Sequence, residues 1–179
     1  CASFAMFFAL LAGYYIVRPM RDNMGVIYGP GSQHELYTIV FFVMVTVVPA
    51  FGFVASRVSR RLVLPAIYGF FIACLIGFWS ASQTGEPPRL LAATFYVWVS
   101  VFNLFVVSLF WSLMSELWST GDAKRLYGFI SAGGTAGALA GPAITQVLAR
   151  YMAPANLLLI AAALLGVSLA MSLVLRKLH

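Results

Sequence analysis

Between Leu90 and Leu117 the chain reads LLAATFYVWVSVFNLFVVSLFWSLMSEL, a run with one charged side chain, Glu116. About 20 apolar residues in a helix cross the roughly 30 Å hydrocarbon core of a bilayer. An apolar run this long is a helix rather than a strand, and it is long enough to tilt. Working outward, a first run is apolar from Ala2 to Val17 and continues with interruptions toward Tyr28. Others span Leu36 to Ala55, Leu62 to Ala81, Leu126 to Leu148 and Leu157 to Leu175. Turn chemistry separates them, in Gly29-Pro30-Gly31-Ser32, Thr84-Gly85-Glu86-Pro87-Pro88 and Ala153-Pro154-Ala155-Asn156. The alternating polarity of a transmembrane barrel is absent. The expected fold is an all-α membrane protein with six transmembrane helices, residues 1–179 forming a single domain.

Composition supports this and excludes other classes. The 179 residues are 62% hydrophobic and 9% charged, against about 25% charged in soluble domains. Mean hydropathy is +0.94. A soluble globular enzyme is excluded, as is a nucleic-acid binder, although the net charge is +6. The two cysteines give no disulfide framework, since Cys74 sits within an apolar run. His34 and His179 are isolated, so neither a metal centre nor a catalytic triad can be assembled, and neither catalysis nor a cofactor is expected. The chain begins as though inside a helix, with no basic segment before it, which argues against a signal peptide. A half of a longer protein is expected, and lipidation of Cys1 is a minor alternative.

Basic residues in short loops favour the cytoplasm. Arg57, Arg60 and Arg61 follow the second run, Lys124 and Arg125 the fourth, and Arg176 and Lys177 the sixth. Arg89 and Arg150 fall on the opposite side. The excess places both termini in the cytoplasm, with or without Arg18 and Arg21 on the external side. A bacterial inner membrane is the expected location.

The polar residues within the apolar runs are the candidate site. In Tyr14-Tyr15-Ile16-Val17-Arg18-Pro19-Met20-Arg21-Asp22-Asn23, the residues Arg18, Arg21 and Asp22 are spaced i, i+3, i+4. They share a helix face, with Tyr14 and Gly25 on the same stripe. An arginine at membrane depth costs about 2.5–3.5 kcal/mol on insertion scales, so such residues line cavities and mark substrate paths. Asp22 is expected to offset Arg18, leaving one cation for an anion. Pro19 removes a backbone donor and loosens the helix locally. The alternative is that the helix ends near Arg18 and the charges lie in the interface.

Asn103 lies midway along the fourth run, where an asparagine more often bonds a neighbouring helix. Ser112, Ser115, Glu116 and Ser119 form a polar stripe at its cytoplasmic end, and Glu116 is a candidate partner for Arg18 or Arg21. In the fifth run Gly133, Gly137 and Gly141 recur every four residues, a flat ridge on which another helix can approach closely. Gly133-Gly134-Thr135 lacks the residues of a phosphate loop.

Six spans with cytoplasmic termini resemble one half of a major facilitator superfamily transporter. The loop Gly52-Phe53-Val54-Ala55-Ser56-Arg57-Val58-Ser59-Arg60-Arg61 is similar to the superfamily's Gly-x-x-x-Asp-Arg-x-Gly-Arg-Arg. Ser56 and Ser59 replace the Asp and the second Gly, which puts gating through this loop in doubt. The alternative reading is three arginines that only obey the charge bias of cytoplasmic loops.

Two further segments resemble the nucleotide transporter (ATP/ADP translocase) family of plastids and bacteria. Tyr15-Ile16-Val17-Arg18-Pro19-Met20-Arg21-Asp22 is similar to its first-helix Tyr-x-Ile-x-Arg-x-x-Lys/Arg-Asp, loosely at the start. Phe110-Trp111-Ser112, then Gly121-Asp122-Ala123-Lys124-Arg125-Leu126-Tyr127, is similar to its Phe-Trp and acidic-Ala-Lys-Arg-Phe-Tyr. Gly121 replaces an acidic residue of plastid members, so membership carries further than ATP/ADP specificity. The resemblance implies exchange of nucleotides by alternating access, without hydrolysis. It implies substrate binding by Arg18 and Arg21, with Asp22, Tyr14, Asn103 and Glu116 around them. Asp122, Lys124 and Arg125 would gate or attract the polyanion, beside Arg57, Arg60 and Arg61. The implied partners are a nucleotide or other small anion, the lipid bilayer, and a missing C-terminal half or a homodimer partner. A facilitator for another anion or metabolite, and a membrane scaffold or sensor, are the rival readings.

Overall fold

The structure is a computed structural model that describes the chain apart from residues 1, 30, 58–59, 84, 86–87, 119 and 179. Within the helices, the side chains of 54–56, 60–61, 120–125 and 177–178 also lie outside the description. Among the described residues the elements are α1 (Ala2–Tyr28), α2 (Gln33–Arg57), α3 (Arg60–Ser82), α4 (Arg89–Leu117), α5 (Thr120–Leu148), a short 3-10 turn (Pro154–Asn156) and α6 (Leu157–Leu178). No strand occurs among them. The fold is therefore all-α.

By length and composition, five segments among the described residues suffice to cross a membrane: Ala2–Tyr28, Gln33–Phe53, Leu62–Ser82, Arg89–Leu117 and Pro154–Arg176. The protein has the build of an all-α membrane protein. α5 is long but not one of the five, and its glycines explain this, because they trade apolar side chains for backbone proximity. A Cβ at Gly133 would lie 2.7 Å from the Phe4 carbonyl oxygen, and one at Gly141 would lie 2.7 Å from Tyr15 Cβ. Gly134 meets Phe7 and Leu11, and Gly137 meets the backbone of Phe8 and Ala12. The glycine ridge expected from the sequence thus receives α1, and the two helices run parallel, 133 to 141 alongside 4 to 15.

α1 is the central helix, packed on α4, α5 and α6. Its antiparallel register with α4 is fixed by aromatic contacts. Phe7 stacks on Phe110 with centroids 4.3 Å apart, Tyr14 faces Phe102 at 6.4 Å, and Arg21 lies over the Tyr96 ring at 5.0 Å. α6 is antiparallel to α1 as well: Ser168 Oγ donates to the Met6 carbonyl at 3.2 Å, and Gly13 approaches Ala161. Tyr68 of α3 donates to the Val106 carbonyl at 3.3 Å, a polar tie between α3 and α4 in a largely apolar contact. Phe71, Phe78, Phe95, Trp98 and Phe102 interleave around it. Both termini consequently lie at one end of the bundle. α2 packs most loosely, leaving an apolar groove of about 830 Å³ between it, α3 and α4.

The segment junctions are tighter than the sequence suggests. Arg57 ends α2, its guanidinium 4.1 Å from the Phe53 ring, and only two residues separate α2 from α3. Arg60 and Arg61 fall in the first turn of α3, with side chains outside the described residues. Asp122, Lys124 and Arg125 were expected in a loop, yet the α5 backbone is already helical there; their side chains too lie outside the described residues. A short polar segment between two long helices can be absorbed as the next helix's first turns, because each added turn gains backbone hydrogen bonds.

Candidate functional site

α1 continues for ten residues beyond Arg18, to Tyr28, so the alternative of a helix ending at the arginines does not hold. Pro19 is accommodated inside it, and a proline there leaves the carbonyl of Tyr15 without its usual donor. At about 100° per residue, Tyr14, Arg21 and Gly25 fall almost on one line of the helix. Arg18 is turned from that line by about 40° and Asp22 by about 80°. The burial follows this rotation. Tyr14 and Gly25 face inward against α4, Arg21 is largely covered, and Arg18 and Asp22 stand exposed at the margin. The single stripe expected from the sequence is in fact a buried line with a charged edge.

The charge pairing also differs from expectation. Asp22 does not bond Arg18. Its Oδ1 accepts from Arg21 Nε at 3.1 Å and Arg21 Nη2 at 2.9 Å. The Arg21 side chain is 21% exposed and that of Asp22 is 55% exposed. Tyr96 lies on the other side of the same guanidinium: α4 presents its ring 5.0 Å from Arg21. A guanidinium over an aromatic face is attracted by the ring's electron-rich centre. Arg21 turns its Nε edge toward its own neighbour. Arg18 has no ionic partner among the described residues, and its guanidinium sits 5.5 Å from the Tyr15 ring. Tyr14 and Tyr15 meet edge to face at 5.2 Å.

Asn103 is half-buried, adjacent to the Phe102 that faces Tyr14. It makes no side-chain hydrogen bond among the described residues, so the expected tie to a neighbouring helix is not seen. Glu116 is exposed and cannot reach the arginines. The register that sets Tyr14 beside Phe102 and Arg21 beside Tyr96 places Arg18 about level with Val99. Seventeen residues of helix, about 25 Å at 1.5 Å per residue, then lie between that level and Glu116. The antiparallel packing of α1 on α4 overturns this pairing.

Tyr96 is the site residue the sequence did not single out, and Tyr15, noted there only within the first-helix motif, joins it beneath Arg18. Tyr96 carries no local signal, because only the interhelical register brings it to Arg21. At the far end of α1 a second polar group forms. Tyr28 Oη donates to Glu35 Oε2 at 2.9 Å, and Arg89 stands 3.8 Å from the same carboxylate and 4.4 Å from the Tyr28 ring. It ties α1, α2 and α4 together at the surface. Ion pairs this exposed contribute about 0–1 kcal/mol.

The apolar groove offers no anion site. Its two threonines, Thr46 and Thr94, donate to the carbonyls of Phe42 and Leu90 within their own helices, and among its described lining residues only the buried indole of Trp98 is otherwise polar, with no cation to pair an anion. Among the described residues the α1–α4 cluster of Arg18, Arg21, Asp22 and the surrounding tyrosines is therefore the chemically equipped site. Its exposed Arg18 guanidinium can donate hydrogen bonds to an anionic group. No protein-family model, no curated protein and no solved structure matches the chain.

Proposed function

We propose that the chain is a six-helix membrane unit of a transporter that moves a small anion by alternating access, with nucleotides of the ATP/ADP type as the favoured substrates. One observation carries the reading: two arginines stand a short way from the midpoint of the most enclosed helix. The midpoint of Ala2–Tyr28 is Tyr15, so Arg18 lies about 4.5 Å and Arg21 about 9 Å from it along the axis. With α1 centred in the bilayer, both would fall within the roughly 15 Å half-thickness of a hydrocarbon core. Two guanidiniums at that depth are kept for a pathway or a ligand rather than for stability. The motif resemblances supply the substrate class and the major facilitator type of mechanism. A polyanion needs more cations than this cluster holds, so a second half or a second copy completes the site.

In this reading α5 serves as the sixth span, the bundle's co-located ends face the cytoplasm, and the gating role implied for Asp122, Lys124, Arg125, Arg57, Arg60 and Arg61 belongs to that side. The engagement of Arg21 by Asp22 favours a second reading within the same fold, in which the substrate is a smaller anion carrying fewer charges. The test is equilibrium binding of labelled ATP and ADP to the purified chain in nanodiscs, with competition by unlabelled nucleotides and by small organic anions. Saturable binding, reduced about tenfold or more by Arg18→Ala, is expected for loss of a charge-assisted contact. Unchanged affinity in both Arg18→Ala and Arg21→Ala refutes the anion site.

A further inference from the structure

The two arginines are not equivalent, and the difference resides in Asp22. Arg21 is triply engaged, by two hydrogen bonds to Asp22 Oδ1, by the Tyr96 face and by the cover of neighbouring side chains. Arg18, three residues earlier and one turn away, is exposed, lies over the Tyr15 ring and has no ionic partner among the described residues. We infer that Asp22 is an internal competitor for the anion: it occupies Arg21 in the resting site, so that Arg18 makes first contact and Asp22 sets how much negative charge the site accepts. This rests on the proposed anion-binding role of the cluster.

Three observations support it. Asp22 belongs to the same helix turn as Arg21, so its carboxylate is always present at high local concentration, as a tethered ligand is. Both donors go to a single oxygen, Oδ1, and the carboxylate is more exposed than the guanidinium, so an incoming anion meets the pair from the carboxylate's exposed side. Arg18 and Arg21 are i, i+3 neighbours one turn apart along α1, about 4.5 Å along its axis. A ligand with one anionic group is held at Arg18. A ligand with several also displaces Asp22 and takes Arg21, and the carboxylate then repels it, which limits how tightly a polyanion is retained. A transporter that must release its cargo gains from such a limit.

The test is a double-mutant cycle read as ATP affinity, with the chain in nanodiscs. Asp22→Asn is expected to raise affinity about tenfold, because a competitor and a repelling charge are removed while Arg21 is freed. In an Arg21→Gln background the same change should give less than about threefold, the part that is simple charge removal. Arg18→Gln should reduce affinity about tenfold or more, and Arg21→Gln alone by less than about threefold. Asp22→Ser, which removes the carboxylate differently, should repeat the gain and guards against a folding defect of one variant. If Asp22→Asn and Asp22→Ser lower the affinity or leave it unchanged while Arg18→Gln weakens it, the competitor role is overturned and the anion site stands. An equal gain with and without Arg21 overturns it as well. If no variant at 18, 21 or 22 alters binding, or the unaltered chain binds no ATP, the inference falls together with the proposed function.

Discussion

Replacing Gly141 by alanine isolates the contact on which the bundle and the candidate site both depend. The added methyl would stand 2.7 Å from Tyr15 Cβ and 2.8 Å from the Ala12 carbonyl oxygen. Ordinary contact begins at 3.4 Å, so the methyl falls 0.7 Å short of the space it needs against Tyr15. Neither neighbour can rotate away, since one is backbone and the other is fixed to it, so α1 and α5 must part. A gap of 0.5–1 Å forfeits about a quarter to a half of each dispersion contact across the seam, and overpacked cores lose about 1–3 kcal/mol. Alanine's better helix propensity returns up to about 1 kcal/mol, leaving a net loss of about 1–2 kcal/mol. Gly69→Ala is the control, because a Cβ there meets nothing within 4 Å and should be neutral or stabilising. Because Gly141 presses on Tyr15, whose ring underlies Arg18, Gly141→Ala should also weaken ATP binding by about threefold to tenfold, or about 0.7–1.4 kcal/mol. Gly133→Ala meets Phe4 at the far end of the same seam; it should lose similar stability and leave the affinity of the folded protein unchanged. The assay is reversible unfolding in mixed micelles for all three variants, with ATP titration of each. If Gly141→Ala unfolds like Gly69→Ala, the close approach of α1 to α5 is not what holds them, and the reasoning fails.

Two more outcomes follow from the packing. Phe110→Ala deletes a fully buried ring stacked on Phe7 at 4.3 Å. In soluble cores such truncations cost about 3–5 kcal/mol; here helix separation exposes the ring to lipid rather than water, so about 2–3 kcal/mol is expected in the same unfolding assay, and a loss below about 1 kcal/mol contradicts the stacked geometry. Arg18→Gln and Glu116→Gln should be additive within about 0.5 kcal/mol in both stability and ATP affinity, as for sites with no shared partner. A larger coupling energy would restore the pairing that the α1–α4 register excludes.

The span limits were legible because the hydrocarbon core imposes a length, and the runs at 36–55, 62–81 and 90–117 each fall inside one observed helix. Glycines at four-residue spacing likewise announced a close helix contact, although only the fold names α1 as the partner. The charged junctions were misread as loops since nothing local distinguishes a polar loop from polar first turns; Asp122, Lys124 and Arg125 have helical backbone in α5.

The candidate site divides along the same boundary. Arg18, Arg21 and Asp22 announce themselves, because ionisable residues in a long apolar helix are expensive wherever they stand. Which arginine the carboxylate holds was not legible, since Arg18 and Arg21 are both within reach of Asp22 on an isolated helix. Tyr96 lies 5.0 Å from Arg21 across the α1–α4 contact, on the other side of the same guanidinium, and the same antiparallel register carries Glu116 about 25 Å away from Arg18. What the sequence by itself determined is the set of helices and the charges on them, both properties of one strand of chain in a bilayer. Which charge is engaged and which is open was decided by tertiary structure, because pairing depends on distances between residues 75 positions apart, Arg21 and Tyr96, that only the packed helices define.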